Sequence, residues 1–504
     1  MRKFFSTLAA ALALSAASAP AQTADSPWPR SHRTPGQQAS TPLPGPVRGE
    51  VEVRLFTEDA GKAFGTSPYT VLSERKYPAR PRARTLWGAS LTDVFKYEID
   101  GDTFRYVDSF EINKLPIWIG WNLFRLPGGR TVVPNPSGLR IGKYRGTPCY
   151  GTSPSLLVFT DDDTPGSPIR CVHKFEFTKD ALEASCGFRK VALGRTAVFT
   201  GELPSGAVAV TVIEKRGRTT RPHVAVLDTG LTRILACAPL GAEGQKITNQ
   251  MAVERAPDGS DLAYFALEDT LVVMRYDPRD NSLRPVGEAD VRFRARTGTT
   301  PTLVDTPDGR RLLVTVDGRC AVDNVFTGAI KCSPDTRPAE LVVLDRTDLS
   351  APPLRVALPD IFDTVENSPA AYGGDVVVAN YSGYSPDGKK DGRRDFARGV
   401  AMLRWNGSTF APVWVRDDIQ ISGVPTISAG SRMVYSSGGE ADRNTYVYGL
   451  DLATGQTRMR AFAGPSENTS NKRKDGVFDA GNNTVINDDG TAIFPAGETL
   501  VRVR

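Results

Sequence analysis

The stretch from Ser422 to Pro465, SGVPTISAGSRMVYSSGGEADRNTYVYGLDLATGQTRMRAFAGP, constrains the fold more than any other part of the chain. It reads as four short β segments: VPTISAG, RMVYSSG, TYVYGLDLATG and QTRMRAFAG. Each is rich in Val, Ile, Tyr or Thr and ends at Gly or Asp, where the chain reverses. In YGLDLATGQT a strand runs into Asp451, turns at Ala453-Thr454-Gly455 and starts back. Four antiparallel strands in about 45 residues make one propeller blade.

The same grammar recurs upstream and downstream. Asp93–Asn113 alternates aromatic and polar residues on both sides of Asp100-Gly101, a hairpin signal. Leu123–Gly138 with Ser155–Thr178, then Ala197–Pro239, Met251–Val286, Thr300–Leu358 and Ser368–Val415 each supply a blade, and Asn482–Arg504 a part-set. With 47 Gly and 37 Pro and almost no 3.6-residue periodicity, helical solenoids are excluded. The expected fold is all-β, a β-propeller of four-stranded antiparallel blades in one domain over residues 87–504. Pairing the C-terminal part-set with the hairpin Asp93–Asn113 closes the ring with the two ends and hides two sheet edges. That count favours seven blades, with six and eight left open. Residues 22–50 are Pro-rich and without period, an extended lead lying along the main body, and residues 51–86 are transitional, EVEVRLF being a strand candidate.

TYVYGLDLATGQTRMR resembles the repeat of pyrroloquinoline-quinone-type (quinoprotein-like) propellers, commonly Y-A-L-D-A-x-T-G-x-x-x-W, with Gly449 for the usual Ala and Arg460 close to where the Trp falls. Thr300-Pro301-Thr302, Ser368-Pro369-Ala370 and Val424-Pro425-Thr426 are similar to the segments leading into inner strands there. The resemblance covers residues 297–504. It implies the fold and leaves the activity open, because propellers host dehydrogenases, lyases, hydrolases and scaffolds. The quinone-dependent dehydrogenases of that family carry an adjacent Cys-Cys pair, a Trp under the quinone and a calcium site. This chain has no adjacent cysteines and its six tryptophans hold no repeat-locked position, so pyrroloquinoline quinone is not expected.

Residues 1–21 read as a secretory signal: Arg2 and Lys3, an apolar run from Leu8 to Ala17, then Ala19-Pro20-Ala21, with cleavage before Gln22. The expected product is exported and soluble, periplasmic or extracellular, without a transmembrane segment. Loss of Arg2 and Lys3 takes the formal charge from +5 to +3, too little to indicate a nucleic-acid partner. Six cysteines in an exported chain are expected to pair. Cys320 with Cys332 staples the base of an excursion, Cys171 and Cys186 are close in sequence, and Cys149 and Cys237 are left to pair across neighbouring blades or to stay free and buried.

Three histidines, His32, His173 and His223, are too few for an imidazole-rich metal site, and no G-x-S-x-G elbow is present. Carboxylates are more plentiful. The loop Tyr381–Arg398 carries Tyr381 and Tyr384 beside Asp387, Asp391 and Asp395, hard oxygen ligands suited to calcium, though Asp-Gly turns between strands account for the same residues. Polar residues ahead of the inner strands, Asn249, Thr299, Asn367, Ser422 and Asn482, converge on one channel mouth if the propeller forms. Amides and hydroxyls without a strong base suit binding more than acid–base chemistry. Two readings follow: a non-catalytic module binding a small ligand or an exported protein partner, or a calcium-assisted hydrolase or lyase with its site at a channel mouth.

Overall fold

The computed structural model describes residues 30–504, apart from 31–32, 56–68, 73–82, 90–91, 113–122, 139–143, 161–165, 193–195, 248, 295–298, 325–328, 363–366, 381–398, 420, 422, 440–443, 466–483 and 497–498. Its described strands form eight blades and one separate hairpin. Blades 1 to 7 span residues 69–111, 124–176, 200–239, 252–290, 302–357, 370–416 and 426–465. Each is a meander in which strands are hydrogen-bonded in chain order. Blade 8 takes three strands from the C-terminus (Val485–Ile486, Ala492–Ala496 and Thr499–Val503) and its outer strand, Val51–Leu55, from near the N-terminus.

The expected seven blades are therefore corrected to eight. The hairpin Asp93–Asp100/Thr103–Glu111 does not complete the C-terminal part-set. It sits in its own blade behind Tyr69–Leu72 and Arg84–Ala89. The strands of the propeller thus begin well ahead of Trp87. Ring closure joins both ends of the chain, but through Val51–Leu55, antiparallel to Thr499–Val503 from Val51↔Val503 to Leu55↔Thr499. The seam is sealed by buried Arg502, which donates to the carbonyls of Gly101, Asp102 and Thr103 in the blade 1 turn and pairs with Glu52 at 2.6 Å.

The core is a series of apolar layers between neighbouring blades. Leu86, Phe95, Tyr97 and Phe104 of blade 1 pack with Phe494, Leu500 and Val501 of blade 8 and with Tyr435 of blade 7. Phe265 and Met274 face blade 3, whereas Tyr264 and Val273, one residue away, face blade 5. The alternation of the pleat thus feeds both faces of every sheet, each buried apolar side chain contributing roughly 1.5–3 kcal/mol. First strands such as Thr200–Glu202 and Thr426–Ser428 are wholly buried at the centre, whereas fourth strands such as Ser282–Asp290 are largely exposed at the rim.

Among the described residues one α-helix, Lys179–Cys186, interrupts the strands between blades 2 and 3. The Thr178 hydroxyl caps it by accepting from the Ala181 N–H, and Gly187 ends it in the left-handed region. It decides the disulfides. It carries Cys186 away from Cys171 and onto blade 3, where Cys186 bonds Cys237 of the outer strand Ile234–Pro239. Cys171 bonds Cys149 instead. The expected pairs Cys171–Cys186 and Cys149–Cys237 are thus corrected, while Cys320–Cys332 forms as expected, at the base of the hairpin Cys320–Asn324/Ala329–Cys332.

Candidate functional site

The centre of the ring is occupied by the chain's own N-terminal segment. In a blade the first strand has one edge bonded to the second strand and one edge turned to the axis, with N–H groups that need acceptors. In blades 4 to 7 the same position, the second residue of the first strand, donates inward. Val253 donates to the Pro35 carbonyl (2.9 Å), Leu303 to Gly36 (2.9 Å), Ala371 to Gln38 (2.8 Å) and Ile427 to Ala39 (3.0 Å). The Thr302 hydroxyl takes the intervening Gln37 carbonyl at 3.3 Å. Five consecutive carbonyls are thus held by four successive blades. The segment then lies parallel to the inner strand of blade 7, Ser40 opposite Ile427 and Thr41 opposite Ser428. It leaves past Ser428, whose hydroxyl donates to Leu43, and Tyr435, whose hydroxyl donates to Pro46 at 2.7 Å.

Two glycines make this passage possible. A Cβ on Gly45 would lie 2.7 Å from the Tyr435 ring, and one on Gly430 would lie 2.5 Å from the Pro42 carbonyl oxygen. The path also bends sharply: Arg33, Gln37 and Ala39 have φ of 59°, 59° and 45°, in the left-handed region that costs a non-glycine residue about 1 kcal/mol or more.

At its start the segment is pinned by charge. Arg30 forms an isolated bridge with Phe124 of blade 2, and its guanidinium donates to the Glu202 carboxylate (3.0 Å) and carbonyl (3.2 Å) at the end of the inner strand of blade 3. Both side chains are almost inaccessible, at 5% and 1%. Burial pushes the Glu202 carboxyl up to about 7 against the pull of Arg30 and Arg130, and burial lowers the Arg30 guanidinium. Arg30 Nε and Glu202 Oε1 have no hydrogen-bond partner among the described residues. Beside them Arg30, Gln37, Phe124, Thr200 and Gln250 line a void of about 10 Å³, the size of one water.

A second, larger cavity, about 470 Å³, opens between blades 4 and 5 and is lined by Asp290, Val291, Arg292, Arg294, Arg337 and Arg355. Its charges are matched. Arg294 and Arg355 at the floor share Asp317 and Glu340, while Arg292 and Arg337 at the rim fold back onto Asp290 and Asp335.

The residues singled out from sequence divide in three. Thr299 is buried ahead of the inner strand of blade 5, where its hydroxyl accepts from Val316 N–H at 3.1 Å and meets the Thr315 hydroxyl, clasping its own blade. Asn367 is buried at the matching place ahead of blade 6, its Nδ2 without a partner among the described residues, and Asn249 is half-buried ahead of blade 4. Ser422, Asn482, Tyr381, Tyr384, Asp387, Asp391 and Asp395 lie outside the described residues. Among the described residues no group of three or more His, Cys, Asp and Glu side chains is placed to hold a metal ion, and no helix is long and apolar enough to cross a membrane. His223 shares a hydrogen bond with Glu214 (3.0 Å), burial lowering its pKa, and His173 Nε2 lies 2.8 Å from the Leu231 carbonyl.

No family model matches the chain, and no curated protein matches it. Among solved structures it is similar to a quinohemoprotein alcohol dehydrogenase of Pseudomonas putida, at 10% identity over 95% of this chain and 80% of that one, with a TM-score of 0.49. It is similar to the dihydro-heme d1 dehydrogenase NirN at 12% identity over 80% and 66%, with a TM-score of 0.45. A third is the periplasmic gluconolactonase PpgL of Pseudomonas aeruginosa, at 11% identity over 79% and 95%, with a TM-score of 0.39. At these values the likeness is one of general shape.

Proposed function

We propose that this chain is an exported propeller that works as a non-catalytic binding module. One observation carries the reading: the axis of the ring, where a propeller gathers one strand from every blade, already holds a peptide segment through main-chain hydrogen bonds from Val253, Leu303, Ala371 and Ile427. A centre built from backbone donors recognises the main chain of a peptide. Three disulfides fit export to an oxidising compartment.

The test is mass spectrometry of the mature protein isolated from its host's exported fraction, native and then denatured. A retained protein or small ligand, released on denaturation, supports the binding reading. A stoichiometric divalent metal that disappears in the Asp391→Ala/Asp395→Ala double variant would overturn it in favour of a calcium-assisted hydrolase or lyase. The same spectra test cleavage before Gln22.

A further inference from the structure

We propose that the inner edge of blades 4 to 7 is an exchangeable peptide-binding site, and that the segment Arg33–Pro46, with Arg30 ahead of it, is its resident occupant rather than a fixed part of the core. The partner class is a proline-containing peptide that bends as the resident segment does and presents consecutive carbonyl oxygens outward to the inner strands. This rests on the binding reading above and names where and what the module binds.

Three features of the contact favour exchange. Recognition runs through the carbonyls of Pro35, Gly36, Gln37, Gln38 and Ala39, which any chain of similar shape offers, so it is tolerant of sequence. The fit is imperfect: three non-glycine residues adopt left-handed backbone, and Arg30 Nε and Glu202 Oε1, both buried, have no partner among the described residues. An occupant without that strain and without those orphaned atoms would be favoured over the resident one. Finally, the segment is tethered by the exposed stretch Val47-Arg48-Gly49-Glu50 to a strand of the rim, Val51–Leu55, that keeps its own pairing. The plug can therefore leave the axis without unzipping blade 8.

The experiment inserts a protease recognition sequence between Val47 and Arg48, cuts the purified protein, and adds a fluorescently labelled synthetic peptide of residues Arg30–Val47. Uptake to one peptide per protein is expected, with the same peptide carrying Gly45→Val at least tenfold weaker, because its side chain meets the Tyr435 ring. On the intact, uncut chain, hydrogen–deuterium exchange is expected to be faster at the amides of Val253, Leu303, Ala371 and Ile427 than in the second strands of the same blades. Absence of uptake, equal binding of the Gly45→Val peptide, or four amides as protected as the second strands would each overturn the proposal. If the cut protein does not stay folded, amide exchange on the intact chain decides alone. A partner retained from the host alongside a failed peptide exchange would leave the binding reading standing and move its site off the axis.

Discussion

Two regions of this propeller put arginines against carboxylates, with opposite consequences. In the cleft between blades 4 and 5 four arginines meet Asp290, Asp317, Asp335 and Glu340, and the outer pairs are solvated: Arg292 and Arg337 are 82% and 62% exposed. At the axis one pair, Arg30 and Glu202, is almost inaccessible, with a polar atom on each side that has no partner among the described residues. The outer pairs of the larger collection are held at a high-dielectric surface, where ion pairs contribute roughly 0–1 kcal/mol. The smaller one sits where an uncompensated charge costs several kcal/mol. Burial, more than the number of ion pairs, marks where the fold is sensitive.

The sharpest way to break this contrast is Glu202→Ala, which leaves Arg30 buried and unpaired. A loss of about 3–5 kcal/mol is expected in chemical denaturation at pH 8. Glu202→Leu with Arg30→Met should recover most of it, since an apolar pair of similar size removes both charges. The pair also sets a pH signature. The folded Glu202 carboxyl is raised to about 7 from an ordinary value of 4.5, so the folded state binds the extra proton. The stability it contributes is complete below about pH 4.5 and is lost as the pH rises through about 7. Glu202→Gln should flatten that part of the stability–pH curve, and an unchanged slope would assign it to other groups.

Why the axis was harder to read than the blades follows from which atoms make the contacts. The blades are written in side chains: alternating Tyr and Val in TYVYGLD, a Gly or Asp at each reversal, and Asp100-Gly101 between two aromatic strands, all of which the structure places as strands and turns. The N-terminal segment is held by its carbonyls, which every residue has, so RTPGQQAS shows no period although much of it is buried. Blade 1 was obscured for a related reason. Its first two strands are only four and six residues long, and they lie among prolines and arginines that read as loop. Of the polar residues expected at a channel mouth, Asn249, Thr299 and Asn367 lie ahead of the first strands of blades 4, 5 and 6, as their spacing in the sequence implies. Their partners were not legible, because the Thr299–Thr315 contact joins residues 16 apart through the register of two strands.

The rim is not everywhere inert, and its covalent ties sharpen the comparison. Cys186–Cys237 closes a separation of 51 residues between the helix and the outer strand of blade 3, against 22 for Cys149–Cys171 and 12 for Cys320–Cys332. Chain entropy gives the longest loop about 4 kcal/mol and the shortest about 3 kcal/mol. Cys186→Ser/Cys237→Ser should therefore lower the thermal midpoint most, and Cys320→Ser/Cys332→Ser least. Equal shifts would show that local packing dominates over loop length.

Next in size is Gly45→Val in the full chain. Its methyl groups must displace the Tyr435 ring, which is buried against Phe494 and donates to Pro46, so a cost of about 1–3 kcal/mol is expected in denaturant titration. The same substitution at exposed Gly244, which meets nothing within 4 Å but has φ of 87°, strains only the backbone and should cost less.

The smallest effect is expected at the arginine cleft. Arg292→Ala and Arg337→Ala each remove an exposed guanidinium that pairs with Asp290 in the case of Arg292, and with Asp335 and, at a longer distance, Glu340 in the case of Arg337. Removing either leaves no buried charge behind, so each should change stability by less than about 0.5 kcal/mol. Arg294 is the internal control. It is 7% exposed and donates to Asp317 and to the carbonyls of Asp317, Arg337 and Pro338, so Arg294→Ala removes several buried hydrogen bonds at once and leaves Asp317, itself 1% exposed, with Arg355 as its arginine partner. If Arg292→Ala proved as costly as Arg294→Ala, the surface pairs would be doing what only the buried ones are expected to do. The division between rim and axis would then have to be redrawn around the whole cleft.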